Sequence, residues 1–505
     1  MLSMFEIITA LSAILFSVVL YFKWSHNYWS RRNVPQTDEM HTILGNAENP
    51  FNTKRGLLIR LKDIYEEFKA RGEKHCGMYI FSQPIYVPID IELVRNIIAK
   101  DFSHFQAHGF TTNLKMDPLS GHLFNLDGEK WRNMRVKLTP TFTSGKMKNM
   151  FKTLLDCGVP MIDHLKTLSQ NGKDLEIKEI VACYTTDVIG SCAFGLECNS
   201  FKDPDAEFRK YGRKIFTPTL KNVFLLILAL VCPDKILANL PIKRLPMDVE
   251  TFFISAIRNI LDYRTSKGVK RNDFIQLFVE MQAKAKADGT KLLTLEEISA
   301  QAFVFFLGGF ETSSTTMTFC LRELAFNQDI QDKLREEVRE AYRKNNGQLT
   351  YDTIMEMKYM DKVVNETLRM YPPAPVLNRV CTADYNVPNT DLTLSTGTKV
   401  FISVLGIHRD AEYYPEPNKF NPENFSEENI AKRPSFTFLP FGEGPRMCIG
   451  LRFGLMQAKT GLSMLLNNYK FLPVANEEYS FKFNPRSFVL SKDGDIMLRV
   501  EKLDS

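Results

Sequence analysis

From Thr294 to Phe326 the chain reads as one helix, and that run constrains the fold more than any other stretch. Thr294-Leu295-Glu296-Glu297 has the pattern of a capping box, which opens a helix by satisfying its first free N–H groups. A single helix from there to Phe326 would be roughly 50 Å long at ~1.5 Å per residue. It is apolar nearly all round at Ala302 to Leu307, so it must cross the middle of a domain rather than lie on its surface. Other segments then have to pack around it. Gln328 to Lys344 is a charged amphipathic pattern with Ile330, Leu334, Val338 and Tyr342 on one stripe. Met360 to Tyr371 is another, stopped by Pro372-Pro373. Strand-like alternation is confined mainly to Met78–Val87, Asp391–Val404 and Ile496–Val500. The expected class is mostly α with a smaller β region, without repeats or an obvious internal boundary.

The 505 residues, 44% of them hydrophobic, are ample for a large core. A net charge of 64 − 59 = +5 is too mild to argue for nucleic acid. Thirty-eight phenylalanines against three tryptophans hint at large apolar surfaces touching greasy ligands or lipid. Nine cysteines, with no Cys-x-x-Cys pair, speak against a disulfide framework or a zinc finger and for a reducing compartment.

One cysteine differs by its surroundings. Cys448 lies in the glycine-rich Phe441-Gly442-Glu443-Gly444-Pro445-Arg446-Met447-Cys448-Ile449-Gly450, and an amphipathic run begins at Leu451. That puts it at the mouth of a helix, where unpaired N–H groups and the helix dipole favour a thiolate. A lone thiolate so presented suits one axial bond to an iron porphyrin. The glycines would let the backbone pass close beneath a flat ring.

Met1 to Phe22 is apolar except for Glu6 and a few hydroxyls, which is spanning length once Met4 and Phe5 are counted. A cleaved signal peptide is the alternative. However, no basic cluster precedes the run and no small-x-small site follows it, so an uncleaved anchor is expected over residues 1–22. Lys23, Arg31 and Arg32 lie only on its C-terminal side, which leaves the body in the cytoplasm. Trp24, Tyr28 and Trp29 suit the interfacial belt, and residues 23–50, with Pro35 and Gly45-Asn46, read as a linker before a single domain over 51–505. A second apolar run, Val223–Val231, is too short to span. It is read either as core or as a surface segment dipping into the membrane near a substrate entrance.

Four further groupings carry chemistry. On the long helix, Gly308-Gly309-Phe310-Glu311-Thr312 combines two weakening glycines with an acid beside an alcohol. Glu311 and Thr312 could pass protons to a bound oxygen species, or the glycines could serve packing while Thr312 bonds its own backbone. Glu366 and Arg369, at i, i+3 on a largely apolar helix, read as a partly buried structural pair. Trp131 and Arg135, at i, i+4, could reach one anion together, or belong to an ordinary basic helix. The last is Phe420-Asn421-Pro422-Glu423-Asn424-Phe425.

These motifs, in this order from about residue 31 onward, resemble the cytochromes P450. Thr139–Met150, Thr185–Gly195 and Phe401–Tyr414 are similar to the microsomal, xenobiotic-metabolising branch of insects called family six. The resemblance implies a helical prism, with heme b between the long central helix and the helix after Cys448, and Cys448 as axial ligand to the iron. It assigns Phe441, Gly442 and Gly450 to the heme loop, and Trp131, Arg135, Arg379 and Arg446 to the heme propionates. It implies that Glu366 and Arg369 brace the core, and that Phe303, Phe306, Gly308, Phe310, Val376, Leu377 and Phe488 line a greasy substrate pocket. Asn424 departs from the pattern: the family places there an arginine that completes a charge triad with the Glu-x-x-Arg pair.

The activity implied is insertion of one oxygen atom from O2 into lipophilic small molecules such as plant toxins and insecticides. The electrons would come from NADPH-cytochrome P450 reductase, with cytochrome b5 as an optional second donor, at the endoplasmic reticulum membrane, since the chain has no nicotinamide or flavin motif of its own. Lys130, Arg132, Lys137, Lys146 and Lys148 could form a docking face for an acidic reductase or simply be solvated. Competing readings are a steroid or fatty-acid enzyme, a heme-thiolate isomerase or dehydratase needing no outside electrons, and a heme protein that only sequesters lipophilic ligands.

Overall fold

The computed structural model describes residues 3–48, 55–110, 112–170, 173–203, 205–216 and 243–503, together with residues 225 and 228. The apolar run Val223–Val231 therefore lies outside the described residues, apart from those two positions. The long run is a single helix, Leu295–Phe326, unbroken through Gly308-Gly309 and opened by the expected capping box between Thr294 and Glu297. The two weakening glycines do not disturb it, and the helix keeps its ordinary winding there. Gly309 serves close packing instead, since a Cβ at that position would lie 2.6 Å from Ile189 of the neighbouring helix Ile177–Ile189.

Helices surround this central element, and most of its residues are buried in one apolar cluster with them. Gln328–Lys344 and Lys358–Met370 form helices with the expected faces inward. The helix that follows Cys448 runs Leu451–Asn468 and packs against the central helix.

A second apolar cluster belongs to a four-stranded sheet, ordered β1 (His75–Ile80), β2 (Gln83–Pro88), β7 (Lys399–Ser403), β4 (Val376–Val380). Met78–Val87, which alternates like one strand, is a hairpin that turns at Phe81-Ser82, where Phe81 takes a φ of 54°. A three-stranded sheet joins β3 (Leu175–Glu176), β9 (Met497–Lys502) and β8 (Tyr469–Pro473), and β5 (Tyr385–Asn386) pairs with β6 (Thr393–Leu394). Phe438, just ahead of the cysteine loop, packs against both apolar clusters, which places that loop at the seam between them.

At the N-terminus, Met4–Ser25 forms one helix whose side chains are almost all exposed up to Tyr21. The segment beyond it, which reads as a linker, packs against the sheet. Trp29 is fully buried, Gln36 bridges to Gly77 and Gly45 bridges to Ile80. Trp29 thus belongs to the core and not to an interfacial belt.

Candidate functional site

The cysteine loop is shaped by its own backbone. The Cys448 N–H donates to the Phe441 carbonyl at 2.9 Å, and the Gly442 N–H donates to Leu439 at 3.0 Å. Gly442 and Gly444 adopt φ of +67° and +75°, where a side chain is strained. At Gly444 a Cβ would also meet the Ile98 carbonyl oxygen at 2.1 Å. Gly450 is different: its backbone is ordinary, and a Cβ would touch only Phe142, at 3.9 Å. Packing against the described residues does not require glycine there.

Burial pushes the Cys448 thiol up, while the N–H groups of Gly450 and Leu451 and the charge of Arg135 pull it down. The net direction is upward. The Cys448 side chain is nevertheless solvent-accessible, and coordination to a cationic centre would favour the thiolate there.

Opposite the loop, the central helix presents one accessible stripe in an otherwise buried stretch. Gly308 is exposed and Thr312 partly so, and a Cβ at Gly308 would meet none of the described residues within 4 Å. The helix after Cys448 packs next to this stretch, since a Cβ at Gly454 would lie 3.9 Å from Ser313 Oγ. Cys448 and the Gly308–Thr312 stripe are thus accessible positions on two elements that adjoin, the turn into the helix Leu451–Asn468 and the central helix that it packs against. The Thr312 hydroxyl donates to the Gly308 carbonyl at 2.5 Å. Glu311 points elsewhere: it is buried and accepts a bond from Lys178 Nζ at 2.8 Å, on the helix Ile177–Ile189.

Close to Cys448 lies a cluster of cations with too few anions. Arg446 is buried; it donates to the carbonyls of Gln106 and Leu126 at 2.9 and 2.7 Å, to Asp127 at 3.1 Å, and lies 4.4 Å from the centre of the Trp131 ring. Arg379 is buried too, and its Nε has no partner among the described residues. Burial lowers both guanidinium groups to about 10, and the charge of Arg446 contributes to the shift at Arg379. Burial also lowers Arg135, which Cys448 partly offsets. His108 is held neutral by burial, with Arg379 and Arg446 adding to the effect. Two buried arginines, one orphaned N–H and a single carboxylate make a site that fits the two propionates of a heme.

The structure also shows what braces the loop. Glu366 and Arg369, both fully buried, form a bidentate pair at 2.7 and 2.8 Å. The missing arginine is replaced by polar groups: the Asn424 amide and the Asn421 N–H both donate to Glu366 Oε1, at 3.1 and 2.9 Å. A cation is supplied from elsewhere. Arg433 donates to the Asn424 carbonyl at 2.5 Å and stacks 4.5 Å over the Tyr414 ring. Arg369 also donates to the carbonyl of His408 at 2.9 Å. The His408 ring accepts the Leu439 N–H at Nε2, 2.8 Å, so its Nδ1 carries the proton and faces the Arg369 carbonyl at 3.1 Å. Sequence reasoning passed over His408 and Arg433 because neither is adjacent to the pair in the chain.

The expected pocket residues divide. Val376 and Leu377 are partly exposed on β4, with Leu377 Cδ2 3.7 Å from a Cβ built at Gly442. Phe303, Phe306 and Phe310 are buried. The first two pack edge-on or tilted against Phe253, and Phe306 also meets Phe194 and Phe208, so both belong to the aromatic core. Phe488 is 67% exposed. Gln301, which the sequence did not single out, ties the 105–125 loop to the central helix by bonding the Leu123 N–H and the Gly121 carbonyl. Lys130, Arg132, Lys137, Lys146 and Lys148 are exposed, and Lys148 is paired with Asp352.

The chain matches the cytochrome P450 family model over residues 50–499. It is 46% identical over 502 residues to probable cytochrome P450 6a23 of Drosophila melanogaster, covering 99% of each chain. It is 42% identical over 509 residues to cytochrome P450 6a2 of the same species, covering 99% of this chain and 100% of that one. Cytochrome P450 6A1 of Musca domestica is 41% identical over 497 residues, 97% of each chain.

Two outcomes follow from the brace. Glu366→Gln leaves Arg369 buried without its counter-charge and is expected to cost about 3–5 kcal/mol, read as loss of folded, heme-containing protein on expression. His408 is pushed down to about 3, first by burial and then by Arg369. The unfolded chain binds that proton near pH 6.5 and the folded one does not, so stability falls as pH drops below that value. Between pH 6.5 and 5 the loss through His408 is about 2 kcal/mol. Urea unfolding of detergent-solubilised protein at the two pH values, parent against His408→Asn, should show a smaller loss in the variant. Equal losses would remove His408 from the account.

Proposed function

Because the chain belongs to the cytochrome P450 family and is a heme monooxygenase, we propose that it oxidises lipophilic small molecules foreign to the organism, with electrons from an NADPH-dependent reductase at a membrane. The observation that carries the reading is an accessible Cys448 beside buried arginines, together with the accessible Gly308–Thr312 stripe on the helix that packs against the one it opens. In this reading Cys448 Sγ would hold the iron of the heme, and Arg379, Arg446, Trp131 and Arg135 would hold its propionates. The heme, when bound, supplies oxygen activation at an iron whose thiolate ligand favours O–O cleavage.

The remaining work falls to side chains. Thr312 Oγ1 keeps its proton on the Gly308 carbonyl, and a turn about χ1 presents that proton to the accessible side of the helix. Glu311 is the next carrier outward. Its carboxylate must exchange Lys178 for a path to Thr312, so Lys178 sets how readily the proton is resupplied. Val376 and Leu377 present apolar surface near the loop, and the 105–125 loop adds Phe110, Leu114, Met116 and Phe124, each more than a third exposed. Such a lining accepts substrates by apolar area rather than by directional bonds, which suits varied lipophilic molecules. The exposed basic residues around Trp131 offer an acidic reductase a complementary face. The N-terminal helix, with Lys23, Arg31 and Arg32 beyond it, suits an anchor that leaves the body on the cytoplasmic side of the endoplasmic reticulum.

Full-length protein in membranes with reductase and NADPH is expected to yield oxygenated products from a panel of plant toxins, insecticides and steroids, with the first two classes favoured. Tight binding without product would favour sequestration, and product without NADPH would favour an isomerase. Thr312→Ala is expected to raise peroxide released per NADPH consumed several-fold while substrate affinity holds. Unchanged coupling would remove Thr312 from proton delivery.

A further inference from the structure

The N-terminal helix is fastened to the body instead of hanging from it. From Met4 to Tyr21 its residues are exposed or partly so, and Phe22 is the first buried one. Eighteen residues at ~1.5 Å each give about 27 Å, close to the ~30 Å hydrocarbon core of a bilayer. The next residues are held by the β1–β2 hairpin. Ser25 Oγ donates to the Ser82 carbonyl at 2.7 Å, and His26 Nε2 bonds the Phe81 carbonyl at 2.8 Å. The His26 ring lies 4.9 Å from that of Tyr79. Trp29 is fully buried; its indole N–H donates to the Met78 carbonyl at 3.2 Å, and its backbone N–H donates to the Tyr79 hydroxyl at 3.0 Å. Gly77 is glycine for this contact, since a Cβ there would lie 2.2 Å from the Trp29 ring.

The side chains around this joint match a lipid headgroup layer. Trp24 is 63% exposed, with the Arg31 guanidinium 4.7 Å from its ring centre, and Arg32 stands 3.8 Å over Tyr28. Aromatic rings paired with cations suit the boundary between acyl chains and phosphates. Ile43 is 45% exposed; its neighbour Leu44 accepts the Phe81 N–H at 3.0 Å, within the loop closed by His41 and Gly45.

We infer that the joint formed by Ser25, His26 and Trp29 with the β1–β2 hairpin fixes the body to the bilayer in one orientation, with the hairpin turn and Ile43 at the headgroup level of an anionic membrane. This rests on the reading of Met4–Ser25 as a membrane anchor. Because no flexible segment separates the spanning residues from the first docked one, the direction in which the helix leaves the bilayer also directs the sheet. The heme loop, tied to the same apolar cluster through Leu439, is then held at a set height and tilt above the lipid.

The test uses full-length holoenzyme in vesicles of phosphatidylcholine and phosphatidylserine, with a nitroxide at Ile43→Cys and the labelled parent as background. Electron paramagnetic resonance compares collisions with O2, which concentrates in lipid, and with a water-soluble nickel chelate. Ile43 is expected to favour O2 several-fold over a label on the far side of the body. A six-residue Gly/Ser insertion after Tyr21 adds about 13 Å of flexible reach and should shift the ratio toward that of water while heme content stays at the parent level. His26→Ala should shift it in the same direction by less, which keeps the test open if the insertion fails to fold. A water-like ratio in the parent, or a ratio unmoved by the insertion and by His26→Ala, overturns the inference. If the parent fails to sediment with the vesicles after alkaline washing, the anchor reading itself falls.

Discussion

The rest of the site depends on one buried ion pair. Glu366 and Arg369 are fully buried, and such a pair contributes little net stability unless every remaining donor and acceptor is matched. Here they are. Arg369 turns its other N–H groups to the carbonyls of His408 and Pro417, and Glu366 takes up Asn421 and Asn424. The His408 ring then carries the arrangement to Leu439, nine residues before Cys448. The pair thus works as a fixed post from which the cysteine loop is hung, and its value lies in position more than in energy.

With the loop fixed, the chemistry of the site follows from charge and access. Arg379 and Arg446 are buried with less negative charge than they need, and Gly308, Thr312 and Cys448 are accessible in the middle of a packed domain. A flat, dianionic group with a metal at its centre resolves both features at once. The two elements of the site differ in kind. The cysteine side is rigid backbone held by glycines. The central-helix side is a hydroxyl already bonded to its own helix and an acid already bonded to a lysine, so proton supply there depends on exchanging existing bonds.

Periodicity and local spacing carried much of this fold in the sequence. The central helix, its capping box, the two helices after it and the cysteine-loop helix were all legible, because each depends on residues within a few positions of one another. The hairpin at Phe81-Ser82 was not, because its turn lacks the usual glycine and a non-glycine residue takes the left-handed conformation. Contacts between distant segments were also hidden. Lys178 reaches Glu311 across 133 positions, and Arg433 takes up part of the role of the arginine that Asn424 displaces. Trp29 looked like an interfacial residue by composition, and only the glycine at position 77 of β1 makes room for it in the core. Phe306 looked like pocket lining by its place on the helix, yet the surrounding aromatic rings claim it for packing.

The most direct test of the central claim is the absorbance difference between reduced protein with and without carbon monoxide. A thiolate from Cys448 predicts the red-shifted band of thiolate ligation in the parent and its loss in Cys448→Ala. Protein that binds no heme, or a Cys448→Ala variant that keeps the same band, would contradict the account.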